Sequence, residues 1–224
     1  RLLPQMPESP ARSQLLLKLA SAYTRSLDPA QALLLLGETK NGEQKTSLEI
    51  LVLLGELRNG NKEDAADFAR KIQAENKQNP DASALQVARV VLGEGAAVFA
   101  EIETSKFKPG DTWKKQSGQY QATLAALWSG DTVLAQTGCE ALQKAGPSDY
   151  AVIARAYLDA ETGQIEKAVQ DLKVISAQTR TDLALSFFWR AVGKKDRSQI
   201  QTLISALSDD PNAQAQVLME YARL

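Results

Sequence analysis

The sequence predicts an all-α protein, organised as an α-solenoid of stacked helical hairpins. Three observations carry this. Apolar residues recur at i, i+3, i+4 and i+7, as in Leu16, Leu19, Ala20 and Tyr23, in Tyr150, Ile153, Ala154 and Tyr157, and in Leu185, Phe188, Trp189 and Val192. Glycine and proline punctuate the chain at short, even intervals, at Asn41-Gly42, Asn59-Gly60, Gly93-Glu94-Gly95, Gly130, Gly163 and Gly193, and at Pro29, Pro80, Pro109, Pro147 and Pro211. Alternation at period two is nowhere sustained, so no strand is expected.

Taken in order, the segments form pairs. The expected helices are 12–25 with 29–39, 46–59 with 62–77, and 81–92 with 95–105. The series continues as 111–128 with 131–144, 148–161 with 164–178, and 182–192 with 196–208, and a last helix runs from 212 to the end. Asp28 before Pro29, Asp131 after Gly130, Ser148-Asp149 after Pro147, and Asp182 supply the helix starts. Division by a helical-hairpin repeat of about 34 residues gives roughly six and a half units. Elements this short cannot each close a private core and must stack on neighbours. Residues 1–11, with Pro4, Pro7 and Pro10, read as an extended lead-in, and 12–224 as a single domain. The apolar run Val217, Leu218, Met219, Tyr221 and Leu224 reads as the first helix of a further repeat, which leaves open a longer array. The chain begins at Arg1 rather than Met, as either a processed chain or a piece of a longer one would, so the absence of a targeting segment carries no information.

Composition narrows the chemistry. The chain has 224 residues, 44% apolar, and no histidine. That excludes Ser-His-Asp and Cys-His triads and histidine-bearing metal sites within it. Cys139 is the lone cysteine and falls at a packing position of a second helix, where a small hydrophobe needs no reactivity. Glu101 with Glu103, Asp209 with Asp210, and Asp64 with Asp67 read as solvated surface. Gly193-Lys194 lacks the remainder of a phosphate loop. No enzyme activity, cofactor or metal is therefore expected. With 26 basic against 27 acidic residues, no field that would steer nucleic acid is visible. The apolar runs at 50–55 and 87–93 fall short of the roughly 18 residues of a membrane helix, so direct membrane insertion is not expected. A soluble protein of the cytoplasm or the bacterial periplasm fits both counts.

Within the pairs, the spacing resembles the tetratricopeptide repeat. That motif sets a large apolar residue, then a large and a small residue at +3 and +4, then an aromatic at +7. A turn glycine, an alanine five residues beyond it, and a late proline follow. Small residues where helices cross let backbones approach, and large residues fill the space opposite. The first pair carries Leu16, Leu19, Ala20, Tyr23, Ala32 and Leu36; the second Leu51, Leu54, Gly55, Gly60 and Ala65. The fourth carries Gly130, Ala135, Cys139, Leu142 and Pro147, and the fifth Tyr150, Ile153, Ala154, Tyr157, Gly163, Ala168 and Leu172. In the third pair Gly95 lies close to Gly93, and in the sixth Ser198 stands at the alanine position. Sel1-like and HEAT-like hairpins share this layout.

The resemblance implies a right-handed superhelix of about six repeats plus a terminal helix. It further implies a concave groove, lined by first helices, that accepts a protein or peptide. Placed on that pattern, Gln14, Leu17, Lys18, Ser21, Glu49, Val52 and Glu56 face the groove, with Gln121, Ala125, Trp128, Arg155, Ser186 and Arg190 further along. Lys18, Gln121, Trp128, Arg155 and Arg190 are the candidate partner contacts. Leu17 and Ser21 stand where the chaperone-binding branch of the family has its first lysine and asparagine, so that branch is not expected. The expected function is a non-catalytic scaffold or adaptor for a protein partner. The alternative is an accessory domain of a bacterial cell-envelope assembly, for polysaccharide export or outer-membrane machinery.

Overall fold

A computed structural model describes residues 9–25, 29–37, 39, 42–76, 83–105, 107 and 110–224. Residues 1–8 of the expected 1–11 lead-in, the cap at Asp28 and the turn prolines Pro80 and Pro109 lie outside these residues, while Pro10 and Ala11 are helical rather than extended. Among the described residues every regular element is helical. In order they are α1 (Pro10–Arg25), α2 (Pro29–Leu36), α3 (Gly42–Arg58), α4 (Lys62–Glu75), α5 (Ser83–Arg89) and α6 (Gly95–Thr104). Then follow α7 (Thr112–Ser129), α8 (Thr132–Lys144), α9 (Asp149–Glu161), α10 (Ile165–Asp171), α11 (Ala177–Gly193), α12 (Arg197–Ala206) and α13 (Pro211–Tyr221). Tight 3-10 turns extend α10 through Leu172–Val174 and α12 through Leu207–Asp209.

The chain divides into two compact units, Arg1–Val98 and Phe99–Leu224. In the first, α3 is the central element and packs on α1, α2, α4 and α5. Its residues 48–58 are buried with the exception of half-buried Leu51, and Glu49, Glu56 and Arg58 are buried with the apolar ones. Leu16, Ala20, Ala32, Leu35, Leu48 and Val52 form one apolar cluster there. In the second unit α7 packs on α8 and α9, and α9 packs on α8 and α10. There α12 packs on α10, α11 and α13, and α13 on α11.

Four hairpins turn the same way. At each turn one residue adopts a left-handed backbone: Gly60 (φ 87°), Gly130 (φ 99°), Gly163 (φ 84°) and Lys195 (φ 56°). The next residue's amide then reaches back five positions: Asn61 N to Glu56 O at 2.9 Å, Asp131 to Ala126 at 2.9 Å, Gln164 to Asp159 at 2.7 Å, and Asp196 to Ala191 at 2.9 Å. This 6→1 bond satisfies a carbonyl that the helix end would otherwise leave open. Five residues past the turn residue stand Ala65, Ala135, Ala168 and Ile200, all buried. In the sixth pair the turn residue is therefore Lys195, not Gly193, and the packing position belongs to Ile200, not Ser198.

The start of α11 also differs from expectation. It begins at Ala177 rather than near Asp182, because Ser176 is extended (φ −60°, ψ 147°) and its hydroxyl accepts the Thr179 amide at 3.3 Å. This shortens α10 relative to the expected 164–178. The segment Ser83–Thr104 is long and apolar enough, by length and composition, to cross a membrane. It is parted at Gly93, whose φ of 94° no continuous helix contains, and Val87, Ala88, Val90, Val98 and Ile102 are buried.

Candidate functional site

First helices of successive hairpins in the second unit bring an aromatic line together. The Trp128 ring on α7 meets Tyr157 on α9 edge to face, with centroids 5.2 Å apart, and Tyr157 meets Phe187 on α11 at 5.3 Å. These are the favourable T-shaped arrangements of rings. The Tyr157 hydroxyl donates to Ser186 Oγ at 3.0 Å in a buried setting. The Trp128 indole N–H is buried and has no hydrogen-bond partner among the described residues.

Charged residues flank this line. Asp159 is buried and accepts from Arg155 Nε at 3.1 Å and from Lys167 Nζ at 3.1 Å. Glu161 accepts from Arg190 Nε at 2.8 Å and Lys194 Nζ at 2.6 Å. A buried carboxylate between two cations is the form in which burial of charge is tolerated.

The five candidate contacts are thus placed differently from one another. Trp128 does not face an open groove; it is 5% exposed, because α8 and α9 close over the end of α7. Arg155 and Arg190 are half-buried and committed to carboxylates on α9. Gln121 is half-buried, and its amide lies 3.4 Å from Ser117 Oγ. Lys18 is exposed on α1 in the first unit.

The wider set departs further from expectation. Glu49, Val52, Glu56, Ala125 and Ser186 are buried rather than groove-facing, and α3 has neighbours on all sides. Gln14 is exposed and Leu17 half-buried, while the Ser21 side chain lies outside the described residues. Burial raises the Glu49 carboxyl above its ordinary range, against the pull of Lys45. Burial likewise raises Glu56, although Asn61 Nδ2 donates to it at 2.7 Å. Sequence reasoning read α3 as a one-sided helix; the unbroken run Leu48 to Leu54, with only Glu49 polar, was the signal for an interior one.

Burial pushes the Cys139 thiol up to about 11, so the nucleophilic thiolate is scarce at neutral pH. No group of three or more acidic or cysteine side chains among the described residues is arranged to hold a metal ion.

Two grooves do open between second helices of the second unit. One lies between α8 and α10, is floored by α9, and has a volume of about 920 Å³. The other lies between α10 and α12, is floored by α11, and holds about 250 Å³.

Fold and geometry together define a class: an all-helical protein of hairpins joined by a recurrent turn. No family model matches the chain, and neither a curated protein nor a solved structure matches it.

Proposed function

We propose that this chain is a non-catalytic scaffold of the tetratricopeptide-like kind. Its hairpins would wind as a right-handed superhelix of about six repeats with a terminal helix, and it would bind a partner protein along its helix faces. The observation that supports this most is the shared turn: a left-handed residue, a 6→1 bond and a buried small or apolar residue five positions on. One geometry repeated at separate points of a chain is what a stack of like units requires.

On this reading Gln121, Arg155 and Arg190 are contacts of the second unit, and Lys18 belongs to a face of the first. Trp128 supports the second-unit face from beneath. Binding energy at such a face concentrates in a few anchors. The test is affinity capture with the immobilised chain, followed by calorimetry with the purified partner. A 1:1 complex weakened by Arg155→Ala and Arg190→Ala, with far-UV dichroism unchanged, is the expected result. Failure to retain any partner from soluble and envelope extracts, or a complex indifferent to both substitutions, overturns the assignment.

A further inference from the structure

The two grooves occupy equivalent places in successive hairpins, and their chemistry differs. In the smaller groove two ion pairs span the gap: Lys173 Nζ to Asp209 Oδ2 at 3.2 Å, and Arg180 Nε to Asp210 Oδ2 at 2.8 Å. Here α10 and α12 pack directly, whereas α8 and α10 make no comparable contact across the larger groove.

Position by position, the ion pairs have no counterpart in the larger groove. Arg180 is the fourth residue of α11, and the fourth residue of α9 is Val152. Asp209 ends the 3-10 turn after α12, and Val174 ends the matching turn after α10. Where Ala206 precedes the first turn, Asp171 precedes the second. The larger groove therefore has apolar walls, including Val174 at 77% exposure, and two carboxylates, Asp149 and Asp171, on its lining.

Its one cation, Arg155, is already engaged by Asp159. Among the described residues no cation stands within ion-pair distance of Asp149 or Asp171. Burial raises the Asp171 carboxyl and the neighbouring Asp159 raises it further, against the pull of Lys167 and Arg155. Arg155 and Lys167 both act on Asp159 and Asp171, and with Asp149 the carboxylates around the groove outnumber these cations. An exposed valine beside such an excess of negative charge suits an amphipathic cation.

We propose that the groove between α8 and α10 is the docking site for a partner segment that combines an apolar side chain with a lysine or arginine. The apolar side chain lies against Val152, Pro147 and Val174. The cation takes, toward Asp171 and Asp149, the part that Lys173 and Arg180 play in the next groove. This rests on the scaffold reading and narrows it to a basic, apolar segment and to one groove.

The probe is the hexapeptide amide acetyl-(Leu-Lys)3, with acetyl-(Leu-Glu)3 as its acidic counterpart. Binding to the isotope-labelled full chain is followed by NMR at about 0.15 M salt, where exposed charges are screened beyond about 8 Å. The basic probe is expected to bind saturably, to move the amides of Val152, Asp171 and Val174, and to lower the Asp171 carboxyl titration. Val152→Arg, which installs the residue type found in the smaller groove, and Asp149→Asn with Asp171→Asn should each weaken it by about tenfold or more. The paired Asn substitutions remove charge without volume, and an unchanged urea midpoint together with unchanged amide shifts away from the groove shows that the fold is kept. No saturable binding, equal binding of the acidic probe, or unchanged binding by both variants overturns the proposal. A captured partner that binds wild type and Val152→Arg alike leaves the scaffold reading standing and removes this groove from it.

Discussion

Gly138 on α8 faces Thr123 on α7 so closely that a Cβ built on Gly138 would stand 2.1 Å from the Thr123 hydroxyl and 2.9 Å from the Phe99 ring. Thr123 is fully buried, and its hydroxyl donates to Gln119 O at 2.7 Å, so it is not free to swing away. Close approach of these two helices depends on the missing side chain. Gly138→Ala is therefore expected to destabilise the second unit by about 1–3 kcal/mol through overpacking, although alanine is worth about 1 kcal/mol over glycine in helix propensity. Thr123→Ala in the same chain should recover part of the loss, because it removes the nearest atom and leaves the Phe99 contact. Urea unfolding of the single and double variants measures both. A Gly138→Ala chain more stable than wild type would show that the helices can move apart freely.

Lys195 is the non-glycine among the four matched turn residues, with φ at 56° where Gly60, Gly130 and Gly163 stand in the same turn. A side chain in the left-handed region carries a steric penalty of about 1–2 kcal/mol that glycine avoids. Glycine also has more freedom to lose from the unfolded chain, which offsets part of that gain. Lys195→Gly should stabilise by about 0.5–1 kcal/mol. Lys195→Ala keeps the Cβ and should give no comparable gain. The midpoints of thermal or urea unfolding for the two variants separate backbone relief from loss of the lysine charge.

Glu56 gives a pH dependence of definite sign. Burial is the first cause of its raised carboxyl, opposed by the Asn61 hydrogen bond and reinforced by Asp64. A carboxyl raised on folding holds its proton longer in the native chain, so this group favours folding fully only below its unfolded value, about 4.3. Its contribution is lost as pH rises through the native value. Glu56→Gln keeps an acceptor for Asn61 and discards the charge. At pH near 7 the variant should be at least as stable as wild type, and the advantage should vanish below about pH 4. Denaturant titrations at both pH values decide it, and a variant less stable at neutral pH would mean the charge is better solvated than its burial indicates.

The same residues explain what was legible in the sequence. Helices and their pairing follow from local signals: period, turn glycines and capping side chains such as Asp131, which accepts the Leu134 amide at 2.9 Å. The sixth turn was misplaced because Gly193 is the visible punctuation while the backbone actually turns at Lys195, a residue that announces nothing. The start of α11 was missed because Ser176 is one serine among many, and its capping role depends on an extended backbone. The groove-facing assignments suffered most. A helix face is readable from spacing, but how many neighbours cover it is not, so Trp128, Glu49 and Glu56, expected on the groove face, are buried. The gap between α8 and α10 was also unreadable. It arises from the comparison of Val152 with Arg180 and of Val174 with Asp209, which requires the helix ends to be fixed first.

Asp210 joins the last two hairpin elements in one side chain. One oxygen accepts from Arg180 Nε at 2.8 Å, and the other accepts the Ala213 amide at 3.3 Å as the cap of α13. The Arg180 hydrogen bond is the first cause holding its carboxyl below the ordinary range, with the Ala213 amide adding to it. A depressed carboxyl contributes stability above its unfolded value, about 3.9, and loses it as pH falls through the native value. Asp210→Asn retains a capping oxygen but not the charge, and Asp210→Ala loses both. At neutral pH the alanine variant should lose about 1–2 kcal/mol, most of it from the cap, and the asparagine variant less, since a partly exposed ion pair is worth about 0–1 kcal/mol. As pH falls through the lowered native value, wild type and Asp210→Asn should converge, because the native carboxyl is then protonated as well. Alanine should remain the least stable there, since its missing cap does not depend on charge. If all three unfold at the same urea concentration at neutral pH, Asp210 neither caps α13 nor ties it to α11 in solution.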